Sequence, residues 1–159
     1  PFSLLFLPRI FITADYVTFT EKINQKKYVK KYIKSYTLFF SFVSVFILFL
    51  SFIFSKSILS LFGTEYVKYS DSFLILIFGV IGIFIFRGIY GNLLSSIGKV
   101  SVNYYIVSSA ILINIVSNYY LIPKYEVKGA AITTCLLMWL TGLLSWACFK
   151  RLYNGKTNP

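Results

Sequence analysis

Four long stretches of the sequence contain no charged residue except one arginine, and this feature restricts what the chain can fold into. The stretches cover residues 35–55, 72–95, 100–122 and 129–149. A helix needs about 20 predominantly apolar residues to cross the roughly 30 Å hydrocarbon core of a bilayer. Strands of a membrane β-barrel would instead show about ten residues of alternating character. With 57% hydrophobic and 13% charged residues, the sequence predicts an all-α fold, a polytopic membrane helix bundle.

The charged residues lie before, between and after these predicted spans. We interpret residues 1–20 as the end of a transmembrane helix that begins before the chain does, and residues 21–34 as a basic amphipathic cytoplasmic segment. The other connecting segments are an external connector at 56–71, a cytoplasmic turn at 96–99, an external turn at 123–128 and a cytoplasmic tail at 150–159. The chain therefore enters the first complete span and leaves the fourth on the same side of the membrane.

The distribution of lysine and arginine predicts which side that is. Six lysines lie in residues 21–34 and Lys99 lies in the turn at 96–99, whereas the connectors of the other side offset their lysines with Glu65, Asp71 and Glu126. Short cytoplasmic connectors are the ones that retain an excess of Lys and Arg. We therefore expect the C-terminus of this multi-pass chain in the cytoplasm.

The basic segment is amphipathic at helical spacing. Such a helix can lie along the anionic cytoplasmic leaflet, or the lysines can serve only as a topology anchor. The net charge of +11 does not indicate a nucleic-acid partner, because the basic residues flank spans instead of forming one soluble face. The lysines of the segment are Lys22, Lys26, Lys27, Lys30, Lys31 and Lys34.

Small and polar residues gather on one side of three predicted helices, with Phe and Leu on the other. Two explanations stay open for these stripes: close packing between helices, and the wall of a hydrated cavity. The three asparagines of the third span are the members for which a cavity is as good an explanation as packing. The stripes are Thr37, Ser41, Ser44, Ser51 and Ser55 in the first span; Asn103, Ala110, Asn114, Ser117 and Asn118 in the third; and Ala130, Thr134, Thr141 and Ser145 in the fourth.

Arg87 is the one basic residue deep within a predicted span. On insertion scales such a charge costs roughly 2.5–3.5 kcal/mol, so something must compensate for it. Gly91 and Ser95 share its helix face and leave room for a bulky polar group. Two interpretations stay open: Arg87 extends to the headgroups at the cytoplasmic end, or it binds an anion or lines a cavity.

The end of the third span and the start of the fourth carry a recognisable pattern. The stretch NYYLIPKYEVKGAAITT, preceded by an asparagine, resembles the penultimate and last helices of the bacterial polysaccharide flippases, the O-antigen and capsule exporters of the multidrug/oligosaccharidyl-lipid/polysaccharide exporter superfamily. LFGTEY at 61–66, SSIGK at 95–99 and LFLPR at 5–9 are also similar to that family, in the same order. Glu126 departs from it, since the family has glycine there. The matching positions are Asn114, Asn118, Leu121, Ile122, Pro123, Tyr125, Gly129, Ala130, Ala131 and Thr134.

The resemblance implies a fold and a function. The fold would be the C-terminal part of a twelve-helix, two-lobed transporter with alternating access, whose N-terminal half is a partner of this chain. The function would be to move an undecaprenyl-diphosphate-linked oligosaccharide across the bacterial plasma membrane, with the lipid-linked oligosaccharide and the phospholipid bilayer as further partners and no cofactor. Arg87 and Lys99 would pair with the diphosphate, and Asn103, Asn114 and Asn118 would hydrogen-bond sugars or water.

The sequence fits two other function classes less well. An ion-coupled multidrug exporter of the same superfamily usually needs buried carboxylates, and the four complete spans contain no acidic residue. A membrane glycan polymerase or glycosyltransferase would need acid and base residues on sizeable loops, whereas these connectors are short. The chain contains no histidine, so we assign it no catalytic residue and no metal ligand.

Overall fold

The computed structural model describes residues 2–8, 10 and 19–155, with side chains for residues 3–8, 10 and 19–153. This part of the chain forms helices and turns and contains no β-strand, so the predicted all-α membrane helix bundle is confirmed. Three helical segments are long and apolar enough to cross a membrane: Lys26–Ser60, Thr64–Ser96 and Val100–Tyr153. Half of the predicted helix end at 1–20, namely residues 1, 9 and 11–18, and residues 156–159 of the predicted tail lie outside the described residues.

Helix α1 is Lys26–Ser60, which is 35 residues long. At about 1.5 Å per residue it measures roughly 52 Å, longer than the roughly 30 Å hydrocarbon core, so it must extend beyond the bilayer. Its buried residues recur at intervals of four and seven, which places them on one face. They are Val29, Tyr36, Phe40, Ser44, Ser51 and Ser55.

Residues 26–34 of the basic segment form the first turns of α1. The helix runs without a break from Lys26 into the predicted span at 35–55. The apolar face of the segment is covered by protein, because Val29 is buried and the rings of Tyr28 and Tyr32 lie 6.3 Å and 4.9 Å from the ring of Phe19. Those contacts compete with the lipid contacts that a surface-lying helix would make.

The second long segment is the centre of the bundle and consists of three consecutive pieces. After a short 3-10 helix at Thr64–Tyr69, helix α2 covers Ser70–Gly82, a π-helical turn covers Ile83–Arg87, and helix α3 covers Gly88–Ser96. The π-helical turn holds one more residue than an α-helical turn, a feature that often occurs at functional sites. This segment contributes much of the core, including Ile77, Val80, Phe84, Ile89, Leu93 and Leu94.

Helix α3 ends in a Schellman turn that accounts for the SSIGK motif. The amide of Gly98 donates to the carbonyl of Ser95 at 2.9 Å, and the amide of Lys99 donates to the carbonyl of Leu94 at 2.9 Å. These bonds satisfy two carbonyls that the end of a helix leaves without partners. They require Gly98 to adopt a left-handed conformation, with φ at 75°.

We expect the Gly98→Ala variant to be less stable by about 1 kcal/mol, because an L-residue in the left-handed region costs that much. A Cβ at position 98 would meet no atom within 4 Å, so the loss would be conformational and not steric. The melting temperature of the purified protein in detergent measures it. Gly98→Asn is the control, since asparagine tolerates this conformation; an alanine variant as stable as the wild type would contradict the explanation.

Helix α4, Val100–Gly155, is one helical element with a break at Glu126, whose φ of 48° and ψ of −129° are not helical. Asn103 and Ser145 lie 42 positions apart in this element. In a straight helix that spacing would separate them by roughly 63 Å. Both side chains nevertheless hydrogen-bond the same atom, Nη1 of Arg87. The chain therefore reverses at Glu126, and α4 is a helical hairpin with a first arm at 100–125 and a second arm at 127–155.

Gly129 lets the second arm of the hairpin start close to the backbone of the first. A Cβ at this position would collide with the backbone of Leu121, and it would lie 3.2 Å from the amide nitrogen of Ile122. Pro123 was expected to end the third span, but it lies within the helix, which continues to Glu126. The reversal at Glu126 gives the bundle four antiparallel helical rods, which matches the number of predicted spans.

Glycines also form the contact between α2 and the second arm of α4. A Cβ at Gly79 would lie 2.9 Å from Cα of Cys135, and one at Gly82 would lie 2.9 Å from the ring of Trp139. Trp139 donates from Nε1 to the carbonyl of Phe78 at 3.0 Å. Small residues let helix backbones approach closely in a bilayer, where the hydrophobic effect does not draw helices together.

The serine stripe of the first span is turned inward, as the sequence predicted. Ser44, Ser51 and Ser55 are 2%, 5% and 5% exposed, whereas Phe42 and Phe46 are largely exposed. Phe40, four residues before Ser44, is buried as well. Its ring packs edge-on against Phe84 at 5.4 Å and lies 4.4 Å from the ring of Tyr36. The other exposed phenylalanines of this helix are Phe39, Phe49, Phe52 and Phe54.

Candidate functional site

Arg87, at the last position of the π-helical turn, holds three parts of the bundle together. Its Nη1 donates to Oδ1 of Asn103 at 2.8 Å and to Oγ of Ser145 at 2.5 Å. Asn103 belongs to the first arm of α4 and Ser145 to the second. The guanidinium therefore lies between these helices. We refer to Arg87, Asn103 and Ser145 as the arginine cluster.

The partners of Arg87 are themselves fixed by hydrogen bonds. The amide of Asn103 donates to the carbonyl of Gly91 at 2.5 Å and to Oγ of Ser95 at 3.0 Å. The hydroxyl of Ser145, which is fully buried, donates to the carbonyl of Thr141 at 2.7 Å. Ser145 was assigned to the small-residue stripe but not to the site. Sequence patterns give the face on which a residue lies, but they do not identify its neighbour on another helix.

Glycine at position 91 leaves space for the guanidinium. A Cβ there would lie 3.1 Å from Nη1 of Arg87 and 3.6 Å from Oδ1 of Asn103. The first distance is shorter than ordinary van der Waals contact, so even a methyl group would displace the guanidinium. The prediction that Gly91 and Ser95 share the face of Arg87 agrees with these contacts.

The arginine cluster carries a positive charge that no acidic side chain offsets. Among the described residues, no carboxylate lies within ion-pair distance of Arg87, and the ion pair present is Lys128 with Asp71 at 3.5 Å, on the surface. The acceptors that Arg87 does have are neutral oxygens. A charge within a span that is held by neutral groups attracts an anion strongly, because the surrounding dielectric constant is low.

The five predicted site residues do not form one site. Arg87 and Asn103 are in contact, whereas Lys99 lies at the turn that ends α3, half-buried. Asn114 and Asn118 form a separate pair, in which Nδ2 of Asn118 donates to Oδ1 of Asn114 at 2.9 Å. Eleven residues separate Asn103 from Asn114, a rise of roughly 16 Å along the helix. The asparagines therefore belong to two levels of the bundle.

The asparagine pair borders a cavity at the hairpin end of the first arm. Asn118 is one of its lining residues, and the cavity has a volume of about 680 Å³. The side-chain oxygen of Asn118 is buried and has no hydrogen-bond partner among the described residues. A buried oxygen without a partner is costly. The other lining residues are Ile115, Tyr119, Tyr120, Ile122, Pro123 and Lys124.

Comparison with known proteins places this arrangement in context. Residues 23–120 match the MatE family. Over 118 residues the chain is 32% identical to the capsular polysaccharide biosynthesis protein CapF of Staphylococcus aureus, an alignment that covers 70% of this chain. It covers 29% of that relative, so the chain spans under a third of the relative's length. No solved structure matches the chain.

Proposed function

Because this chain belongs to the MatE family, a family of membrane transporters, we propose that it moves an undecaprenyl-diphosphate-linked oligosaccharide across the bacterial plasma membrane. It would act by alternating access, as the C-terminal part of a twelve-helix, two-lobed transporter whose C-terminus is cytoplasmic. The similarity to a capsular polysaccharide biosynthesis protein supports a glycan as the cargo. The cargo would be the repeat unit of an O-antigen, the outer part of a lipopolysaccharide, or of a capsule or exopolysaccharide.

The observation that carries the proposal is the uncompensated charge of Arg87. Its hydrogen-bond acceptors are a neutral amide and a neutral hydroxyl, so the guanidinium keeps its charge available to an anion that enters from the space between the lobes. A diphosphate suits such a group, because guanidinium donors and phosphate oxygens form strong charge-assisted hydrogen bonds. An ion-coupled multidrug exporter usually needs buried carboxylates, and the four complete spans of this chain contain none.

The asparagines have different parts in this proposal. The side chain of Asn103 donates to Gly91 and Ser95 and accepts from Arg87, so its hydrogen-bonding capacity is largely used, and it would position Arg87 instead of touching sugar. Asn118 keeps an acceptor beside a cavity, so it is the better candidate for a sugar hydroxyl, with Asn114 holding it in place. We assign no substrate contact to Lys99 beyond attraction of the diphosphate toward the cluster.

Deleting the full-length gene from its host should abolish the surface glycan and cause lipid-linked oligosaccharide to accumulate. Surface polysaccharide is measured by immunoblotting, and the lipid-linked intermediate by mass spectrometry of extracted lipids. Complementation with the wild-type gene is the control. A mutant with normal surface glycan and increased sensitivity to cationic drugs would overturn the proposal and indicate a multidrug exporter.

A further inference from the structure

A second basic site lies at the end of the bundle where α1 begins and α4 ends. There a cavity of about 570 Å³ opens between the two helices. We refer to it as the basic groove. Three lysines line it, Lys26 and Lys30 from α1 and Lys150 from the second arm of α4, and none of the other described residues that line it is acidic. The remaining lining residues are Val29, Ile33, Tyr90, Trp146, Phe149 and Tyr153.

The groove combines a cationic rim with an aromatic wall. Lys150 lies over the ring of Trp146, with Nζ 5.2 Å from the ring centroid. The rings of Tyr90 and Phe149 are 5.8 Å apart, and those of Phe149 and Tyr153 are stacked at 5.0 Å. Tryptophan and tyrosine prefer the level of the lipid headgroups, where one end of the side chain is apolar and the other is wet.

The two walls of the groove are fixed with respect to each other. The hydroxyl of Tyr153 donates to the carbonyl of Ile23, just before α1, at 2.9 Å. This bond connects parts of the chain that are 130 positions apart. The first turn of α1 contains no acidic residue, so the positive end of the helix dipole adds to the charge of the lysines.

From these features we propose that the basic groove binds the phosphate headgroup of an anionic membrane phospholipid, with an acyl chain against the aromatic wall. The occupant is a bilayer lipid and not a soluble anion, because the wall opposite the lysines is apolar and a small hydrated anion would leave it uncovered. The site differs from the arginine cluster in position and in residues, and it does not depend on which cargo the protein carries.

The test compares two triple variants of the full-length protein that remove the same charge. Lys26→Gln/Lys30→Gln/Lys150→Gln alters the groove, whereas Lys27→Gln/Lys31→Gln/Lys34→Gln alters exposed lysines of α1 that do not line it. Binding of phosphatidylglycerol is measured by native mass spectrometry and by thermal shift in nanodiscs that contain phosphatidylcholine with or without phosphatidylglycerol.

We expect the groove variant to bind phosphatidylglycerol at least tenfold more weakly than the wild type, and the control variant to change by twofold or less. Equal losses in the two variants would overturn the proposal, because the attraction would then be diffuse. Two further ligands distinguish the source of the phosphate. Saturation of the same site by inorganic phosphate alone, or by undecaprenyl phosphate in preference to phosphatidylglycerol, would also overturn it.

Discussion

The Arg87→Ala variant of the full-length protein should transport lipid-linked glycan 10 to 100 times more slowly than the wild type. Hydrogen bonds to a charged group contribute about 1.5–3 kcal/mol, which corresponds to that range. Folding should suffer less, because alanine also removes the roughly 2.5–3.5 kcal/mol that a buried arginine costs in a span. The measurement is surface glycan at matched protein levels, or flipping by purified protein in vesicles.

Two substitutions separate the charge of Arg87 from its hydrogen bonds. Arg87→Gln can still donate to Asn103 and Ser145 but lacks the charge, whereas Arg87→Lys keeps the charge and loses the planar fork. We expect lysine to retain more transport than glutamine. Ser145→Ala removes one of the two bonds of Nη1 without changing the charge, and it should retain most of the activity. If glutamine restores wild-type transport, Arg87 only holds the helices together and the diphosphate role is wrong.

The largest loss of stability should come from Gly142→Leu. A Cβ at this position would lie 2.9 Å from Cβ of Phe86, 3.0 Å from the carbonyl oxygen of Gly82 and 3.2 Å from the amide nitrogen of Arg87. Two of these atoms belong to the backbone and cannot move aside. Overpacking of this kind costs typically about 1–3 kcal/mol, and we expect the upper end because both helices would have to separate.

Ala147→Leu is the matched control for that substitution. Ala147 lies on the same arm of α4 but is exposed, so a leucine there would face lipid and find space. Both variants are compared by the yield of folded protein from membranes and by melting temperature in detergent. If Gly142→Leu has the same melting temperature as Ala147→Leu and the wild type, the contact with α2 is looser than the structure indicates.

The helices and the hairpin were predictable from local signals. Continuous apolar runs predict spans, and the charged residues between Pro123 and Gly129 predict the reversal, because proline removes a backbone donor and glycine permits close approach. The inward direction of Ser44, Ser51 and Ser55 follows from their spacing of four and seven. Phe40 lies four residues before Ser44, so the same spacing also accounts for its burial against Phe84.

The composition of the arginine cluster could not be predicted for a related reason. Helical periodicity gives the direction of Arg87, Asn103 and Ser145 within each helix, but it gives neither the neighbouring helix nor the height at which the side chains meet. Asn103 and Ser145 meet only because the hairpin places residues 42 positions apart at one level. Asn114 and Asn118 lie on the same face as Asn103, but the rise of roughly 16 Å from Asn103 to Asn114 separates this pair from the cluster. Their roles in binding, and that of Lys99, remain predictions.

The π-helical turn at Ile83–Arg87 sets the rotational phase between the two halves of the central rod. Each residue turns an α-helix by about 100°, so the additional residue offsets α3 from α2 by nearly a third of a revolution. Gly79 and Gly82, before the turn, lie against the second arm of the hairpin, whereas Gly91, after it, lies beside Arg87 and Asn103 of the first arm. The two halves of one rod therefore follow different neighbours.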